Sequence, residues 1–335
     1  MVMGRNHVKD GLNEIIDAMQ GQSILVIGDM VADIYLDGRI SRISREAPVL
    51  VLEQAGEKIV AGGAANVVNN VATLGGQVFA VGILGQDRSA DGLREILAGN
   101  GADTEGMLSD ESRPTISKTR IIAGGRATVS QQIVRIDHES KEPVSPALEE
   151  RLLAYIDRVL PQVQGIVMSD YGAGTVTKKI EEKLVTYSRA HGIPSMVDSR
   201  YEIRRFKGVG YVKQNDAELA SAVGRELRTE EDLRQAGQEL LRELDADGVL
   251  VTRGERGMTL FERNGAIHDI PVSDKSEVYD VSGAGDTCVS TVILALAAGA
   301  EPVRAAELSN FASGIAVRKL GTATVSSREL RKVVR

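Results

Sequence analysis

Four short apolar runs, over residues 165–168, 195–197, 209–212 and 248–251, each stop abruptly at polar residues. Runs this short and this apolar read as strands buried on both faces. Alternating with helical stretches, they call for a parallel sheet covered on both sides. The first run ends in Ser169, Asp170, Tyr171 and Gly172, and the second in Asp198. The third ends in Lys213, Gln214 and Asn215, and the fourth in Thr252, Arg253 and Gly254. Such sheets gather ligands outside their strand C-termini, so Asp170, Asp198, Asn215 and Thr252 are expected on one shared rim. An earlier run over 23–27 ends in Gly28 and Asp29, with Asp33 just beyond. Asp33 is either a ligand for a substrate hydroxyl or a solvated loop acid.

Two other regions break the α/β rhythm. Residues 34–36 and 49–52 look like strands, as do 115–122 and 128–136, the latter pair joined at Ala123, Gly124, Gly125 and Arg126. They read as one small sheet standing apart as a lid, inserted at about 34–60 and 114–137. Lys118, Arg120 and Arg135 would bring it positive charge, and Arg39, Arg42 and Arg45 add three more cations; all six are either anion contacts or ordinary surface charge. Gly62 and Gly63 belong to the small-residue entry, residues 61–66, of a helix expected to run to Leu74, whose Asn66 can both donate to and accept from a polyol.

Near the end, Asp280, Val281, Ser282, Gly283, Ala284, Gly285, Asp286 and Thr287 lead into an apolar run. Gly283, Ala284 and Gly285 keep side-chain bulk away, so an anion can approach backbone N–H groups at the positive end of the following helix. Asp286 at that mouth either caps the helix or accepts a proton from a hydroxyl that then attacks a bound phosphorus.

Composition sets the bounds. The 335 residues carry 40 Lys and Arg against 47 Asp and Glu, a net charge of −7, which argues against a general nucleic-acid surface. One cysteine, Cys288, allows no internal disulfide and is read as a small core residue. There is no signal-like apolar start, and the run over 289–300 is too short to span a membrane, so a cytoplasmic protein is expected. No Walker loop, dinucleotide fingerprint, G-x-S-x-G elbow or H-E-x-x-H occurs. No repeat or linker divides the chain, and residues 1–335 read as one domain with an inserted lid.

Taken in order, Gly62-Gly63-x-x-Asn66, Asn215-x-x-Glu218, Thr252-Arg253-Gly254-x-x-Gly257 and Asp280-x-x-Gly283-Ala284-Gly285-Asp286 resemble the PfkB (ribokinase-like) carbohydrate kinases. The segments 38–49, 114–120, 131–137 and 321–326 resemble, more narrowly, the D-glycero-β-D-manno-heptose-7-phosphate kinases of lipopolysaccharide-core synthesis. Those kinases are often fused to an adenylyltransferase with an H-x-G-H motif; this chain lacks the motif and looks like the stand-alone kinase. Two places depart from the family pattern. Asp198-Ser199-Arg200 stands for the usual Asp-Pro-Lys, and Lys213-Gln214-Asn215 for Thr-Pro-Asn.

The resemblance implies a three-layer α/β/α sandwich with a mainly parallel central sheet and a small β-sheet lid. It implies ATP as donor, with Thr252, Gly254, Gly257 and Asn310 lining the nucleotide, and Mg²⁺ near Asn215 and Glu218. A K⁺ beside Asp280 is common in the family. The phosphorylated sugar would meet Asp33, Gly62, Gly63, Asn66, Lys118, Arg120, Arg135 and Asp170. Asp286 would serve as base, with Gly283, Ala284 and Gly285 as the anion hole. The implied product is heptose 1,7-bisphosphate, and a homodimer through the lid is expected. The rival readings are a related kinase acting on fructose 6-phosphate, ribose or adenosine, and a non-catalytic nucleotide or sugar sensor.

Overall fold

The computed structural model describes residues 11–124, 130–273 and 278–334. Its elements, in chain order, begin with α1 (Leu12–Ala18), β1 (Ser23–Gly28), β2 (Met30–Ile43), β3 (Leu50–Gly63) and α2 (Ala64–Thr73). Then come β4 (Gln77–Leu84), α3 (Arg88–Gly99), β5 (Asp103–Ser109), β6 (Ile116–Gly124), β7 (Gln131–His138) and α4 (Pro146–Val159). The second half runs β8 (Gly165–Asp170), α5 (Lys178–His191), β9 (Ser195–Ser199), β10 (Tyr211–Asn215), α6 (Asp216–Val223), α7 (Glu230–Leu244) and β11 (Gly248–Thr252). It closes with β12 (Met258–Glu262), β13 (Ile267–Ile270), α8 (Ala284–Ala297), α9 (Pro302–Ala316) and α10 (Ser327–Val333).

The large sheet has nine strands in the order β13-β12-β11-β10-β9-β8-β1-β4-β5. It is parallel except at one edge, where β12 and β13 run antiparallel. β1 and β8 are buried at every position, as strands covered on both faces must be. Against one face pack α1, α2, α3, α8, α9 and α10, and against the other α4 to α7, so two apolar cores sandwich the sheet. Ten of the first twelve residues of α8 are buried, which fits a helix apolar nearly all round. Local signals set the helix starts: Ser145 caps α4 ahead of Pro146, and Thr229 with Asp232 forms a capping box on α7.

A second sheet, β3-β2-β6-β7, stands beside the first. It is mixed, with β2 antiparallel to β3 but parallel to β6. Its first two strands are far longer than 34–36 and 49–52, because β2 begins two residues after β1 ends and β3 runs directly into α2. Asp33 is therefore not in a loop: it lies inside β2, opposite Val60 and Lys118. Gly62 and Gly63 end β3, and the helix opens at Ala64. The turn expected at 123–126 falls partly outside the described residues, since Ala123 and Gly124 belong to β6 and Gly125 and Arg126 are not described. Neither β5 nor α10 was foreseen. No helix among the described residues is long and apolar enough to cross a membrane.

Candidate active site

β1 is where the sheet reverses. The chain leaves it for β4 and β5 on one side and returns through β8 to β13 on the other. Ligands of open α/β sheets collect outside the strand ends at such a reversal. Gly28 ends β1 here, and a Cβ on it would sit 1.9 Å from the Ser169 carbonyl oxygen, so only glycine lets the two strand ends meet. Asp29, fully buried, accepts from the backbone N–H of Tyr171 (2.8 Å), Ala173 (3.0 Å) and Thr175 (3.2 Å). It ties the loop after β8 to the end of β1. Burial raises its carboxyl above the ordinary range despite those donors.

The loop so held carries Tyr171 to Asp286. Asp286 lies in the first turn of α8 and is 5% exposed. Its Oδ2 accepts from Asn66 Nδ2 at 2.7 Å, and its Oδ1 from the Tyr171 hydroxyl at 3.1 Å. Burial pushes its carboxyl up to about 7; Asp198 pushes the same way, while Asn66, Lys213 and Tyr171 oppose. Burial and the same carboxylate hold the Tyr171 phenol well above its ordinary range, so it stays a donor. Gly283, in left-handed backbone (φ 79°), precedes Ala284 and caps α8. A Cβ on it would lie 2.7 Å from Asn66 Nδ2 and dislodge the amide that holds Asp286.

Two cavities meet at this turn. The smaller, about 240 Å³, is lined by Asp170, Tyr171, Asp198, Arg200, Gly283 and Asp286 among others. The larger, about 970 Å³, is lined by Thr252, Gly254, Gly257, Asn310 and an apolar wall of Met258, Val272, Val278, Val281 and Val317. Lys213, Asn215 and Gly285 belong to both. Lys213 is buried, with Nζ 2.9 Å from Asp198 Oδ2 and 3.8 Å from Glu218 Oε2. Burial alone would lower its ammonium, but the two carboxylates outweigh burial and hold it raised, so it stays charged.

The two departures from the family pattern have structural reasons. The Ser199 hydroxyl donates to Asp170 at 2.7 Å and accepts from Glu202 N, a bridge that proline could not make. Gln214, buried, donates to the carbonyls of Ser199 and Lys213. Asp170 is thereby committed to Ser199 and to Gly172 N, on the cavity wall but engaged. Asn215 and Glu218 form a reciprocal capping box at the start of α6, each side chain taking the other's backbone N–H at 2.8 Å. No group of three or more metal-type ligands exists among the described residues.

On the lid side, Arg120 donates to Asp33 at 2.6 Å, and both are largely buried. Gly62 is small for the same reason, since a Cβ there would lie 2.5 Å from Asp33 Oδ2. Lys118 carries its ammonium 5.3 Å from the centre of the Tyr171 ring. Arg135 is half exposed and pairs with Asp137 on its own strand. Arg39, Arg42 and Arg45 are exposed. Asn66 is fully buried and spends its amide donor on Asp286. Asn310 donates to the Pro271 carbonyl at the larger cavity. Asp280 accepts from Ser282 N and Gly321 N; burial would raise it, but these donors hold its carboxyl below the ordinary range. Cys288 is buried in the core, and burial pushes its thiol up to about 11. Tyr171 and Asp29 are the contributors that sequence patterns did not single out. Their one signal is their place at the ends of β8 and β1.

The model of the "pfkB family carbohydrate kinase" matches residues 22–329. The bifunctional protein HldE of Geotalea uraniireducens is 42% identical over 307 residues, covering 91% of this chain and 61% of that protein. The HldE of Nitratiruptor sp. is 38% identical over 312 residues, covering 93% of this chain and 65% of that one. The chain thus spans less than two thirds of these relatives' length. Among solved structures, Arabidopsis thaliana ribokinase with ribose and ATP superposes with a TM-score of 0.72 at 17% identity, covering 94% of this chain and 99% of that chain. Escherichia coli phosphofructokinase-2 with potassium gives 0.72 at 20% identity, covering 94% and 98%. The fold is ribokinase-like, and with a rim, a buried carboxylate and a glycine turn in these places the chain belongs to the pfkB family of carbohydrate kinases.

Proposed function

We propose that the chain transfers the γ-phosphoryl group of ATP to the C1 hydroxyl of D-glycero-D-manno-heptose 7-phosphate. One observation carries the reading. Asp286, its carboxyl pushed up to about 7, stands at the N-terminus of α8, where the two cavities share Lys213, Asn215 and Gly285. Asp286 takes the hydroxyl proton, and the freed oxygen bonds to the γ-phosphorus. The bond from that phosphorus to the bridging oxygen breaks, leaving ADP and heptose 1,7-bisphosphate. The positive N-terminal end of α8, with Gly283, Ala284 and Gly285 keeping bulk away, receives the charge that develops on the phosphoryl oxygens. The larger cavity, with its apolar wall, takes the nucleoside.

Family membership implies a nucleoside triphosphate and a divalent cation. The residues expected to hold Mg²⁺ do not fit a protein-bound ion, because Asn215 and Glu218 are engaged in the capping box and Asp198 with Lys213. Mg²⁺ is read as arriving on the nucleotide's phosphates, keeping its waters.

The heptose assignment rests on the segments 38–49, 114–120, 131–137 and 321–326, and on HldE relatives near 40% identity. Lys118 is the first candidate for the sugar phosphate, since Arg120 is already paired with Asp33. The test is ³¹P NMR of the protein with Mg·ATP and, separately, the heptose 7-phosphate, fructose 6-phosphate, ribose and adenosine. A new anomeric phosphate signal from the heptose alone is expected. Turnover of another sugar instead would remove the heptose reading, and no turnover at all would favour the sensor. Running the assay in KCl and in tetramethylammonium chloride tests the K⁺ expected beside Asp280.

The expected partner is a second copy through the lid. Ile43 (65% exposed), Leu50, Val134 and Ile136 leave the small sheet with uncovered apolar side chains. Light scattering is expected to give twice the chain mass, and Ile136→Lys to return it to one. A native mass of one chain would remove the dimer.

A further inference from the structure

We propose that Lys213 is a built-in cation of the phosphoryl-transfer site, filling the place between Asp198 and Glu218 that a divalent ion would otherwise take. Its ammonium is then held ready for the phosphoryl group in transit. The second part rests on the kinase reading above; the first does not.

Three observations meet at this side chain. Nζ stands 2.9 Å from Asp198 and 3.8 Å from Glu218, with the three side chains 7%, 12% and 19% exposed respectively. A Cβ built on Gly285 would lie 2.9 Å from the same Nζ, so the ammonium rests against the first turn of α8. Lys213 also lines both cavities, where donor and acceptor would meet.

The chemistry follows from these distances. A Mg²⁺ between two carboxylates needs oxygens at about 2.0–2.1 Å and space for its waters. Here the space holds a positive group already, and a second cation would be repelled by it. An ammonium has three N–H donors. One goes to Asp198; Glu218, at 3.8 Å, compensates charge without accepting a hydrogen bond. Two donors are left to turn toward phosphoryl oxygens. Lysine suits this place as a compact point charge on a flexible stem. Its charge does not depart with the product as the nucleotide's metal does, and the glycine at 285 is what makes room for it.

The test uses Mn²⁺ as probe, titrated into the nucleotide-free protein and followed by electron paramagnetic resonance. With the native protein, Mn²⁺ is expected to keep its free six-line spectrum. Lys213→Thr is expected to bind one equivalent, and adding Asp198→Asn to abolish that binding. Circular dichroism checks the fold, and Lys213→Gln, which keeps a donor for Asp198, serves if the threonine variant unfolds. Native protein that binds one Mn²⁺, with the binding lost in Asp198→Asn, would overturn the proposal. Folded Lys213→Thr or Lys213→Gln that binds none would do the same. In the kinase assay, the native rate is expected to level off once Mg²⁺ matches ATP. Lys213→Thr is expected to lose on the order of 10²-fold in kcat and to regain part of it with excess free Mg²⁺. An unchanged kcat would sink the contact with the transferred group. If no sugar is turned over by the native protein, the kinase reading fails while the Mn²⁺ result still decides the cation's place.

Discussion

Asp286→Asn is expected to lose at least ~100-fold in turnover and yet be the more stable protein at pH 8. The loss follows from the role, because an amide takes no proton from the attacking hydroxyl. The gain follows from burial. In the folded chain the Asp286 carboxyl titrates at about 7, against 3.8 for the free side chain. Between those values the folded state holds a proton that the unfolded chain has released, so stability falls as pH rises through that window. The shift corresponds to at most about 4 kcal/mol at pH 8, taking ~1.4 kcal/mol per unit. Asparagine escapes this cost and keeps both contacts: its oxygen accepts from one of Asn66 and Tyr171, and its amide donates to the other after a flip. Denaturant unfolding of both proteins at pH 8 and pH 3 checks it. The variant's advantage is expected at pH 8 and absent at pH 3, where both states of the native carboxyl are protonated. The same titration predicts that native kcat/KM falls tenfold per unit below about pH 7. Near-normal turnover in the asparagine variant, or a flat profile down to pH 5, would remove Asp286 as the base.

Asp29→Ala carries the second large effect, through a residue that touches no substrate. Its carboxylate is the shared acceptor for the N–H groups of Tyr171, Ala173 and Thr175. Alanine leaves three N–H groups without a partner at the meeting of β1 and β8. The Thr175 N–H is buried and the other two partly so; at ~1–3 kcal/mol for a fully buried unpaired group, a loss of about 2–3 kcal/mol is expected. The loop at 171–175 then has no anchor, and Tyr171 releases Asp286. Hydrogen exchange separates this account from a general loss of stability. The amides of residues 171, 173 and 175 are expected to exchange faster than those of β8 itself, and equal acceleration throughout the sheet would count against a local anchor.

Much of this is legible in the sequence. The strand runs at 165–168, 195–197, 209–212 and 248–251 appear as β8, β9, β10 and β11, and their polar ends do share one rim. Such runs are legible because a doubly covered parallel strand has no choice but to be apolar throughout. The capping box at Thr229 and Asp232 is legible in the same way, since a cap is a contact between residues three apart, whereas the one formed by Asn215 and Glu218 reads instead as a metal site. β5 was missed because its sequence, Asp103 to Ser109, has only Met107 and Leu108 as large apolar residues and pairs at an edge. β2 and β3 read too short because Asp33 and Asp37 in the one, and Glu53, Glu57 and Lys58 in the other, interrupt any apolar pattern.

What the sequence determined alone was therefore the fold class, the family and the glycine turn at Asp286, all carried by residues near one another in the chain. What the tertiary structure decided was how the site is held. Asn66 reaches Asp286 across 220 positions, Asp29 reaches Thr175 across 146, and Arg120 reaches Asp33 across 87. Lys213 could be seen as a departure but not as a cation between Asp198 and Glu218. Local spacing records the pairing of neighbours in a helix or strand, whereas a buried charge finds its partner only when separate strands end on the same rim.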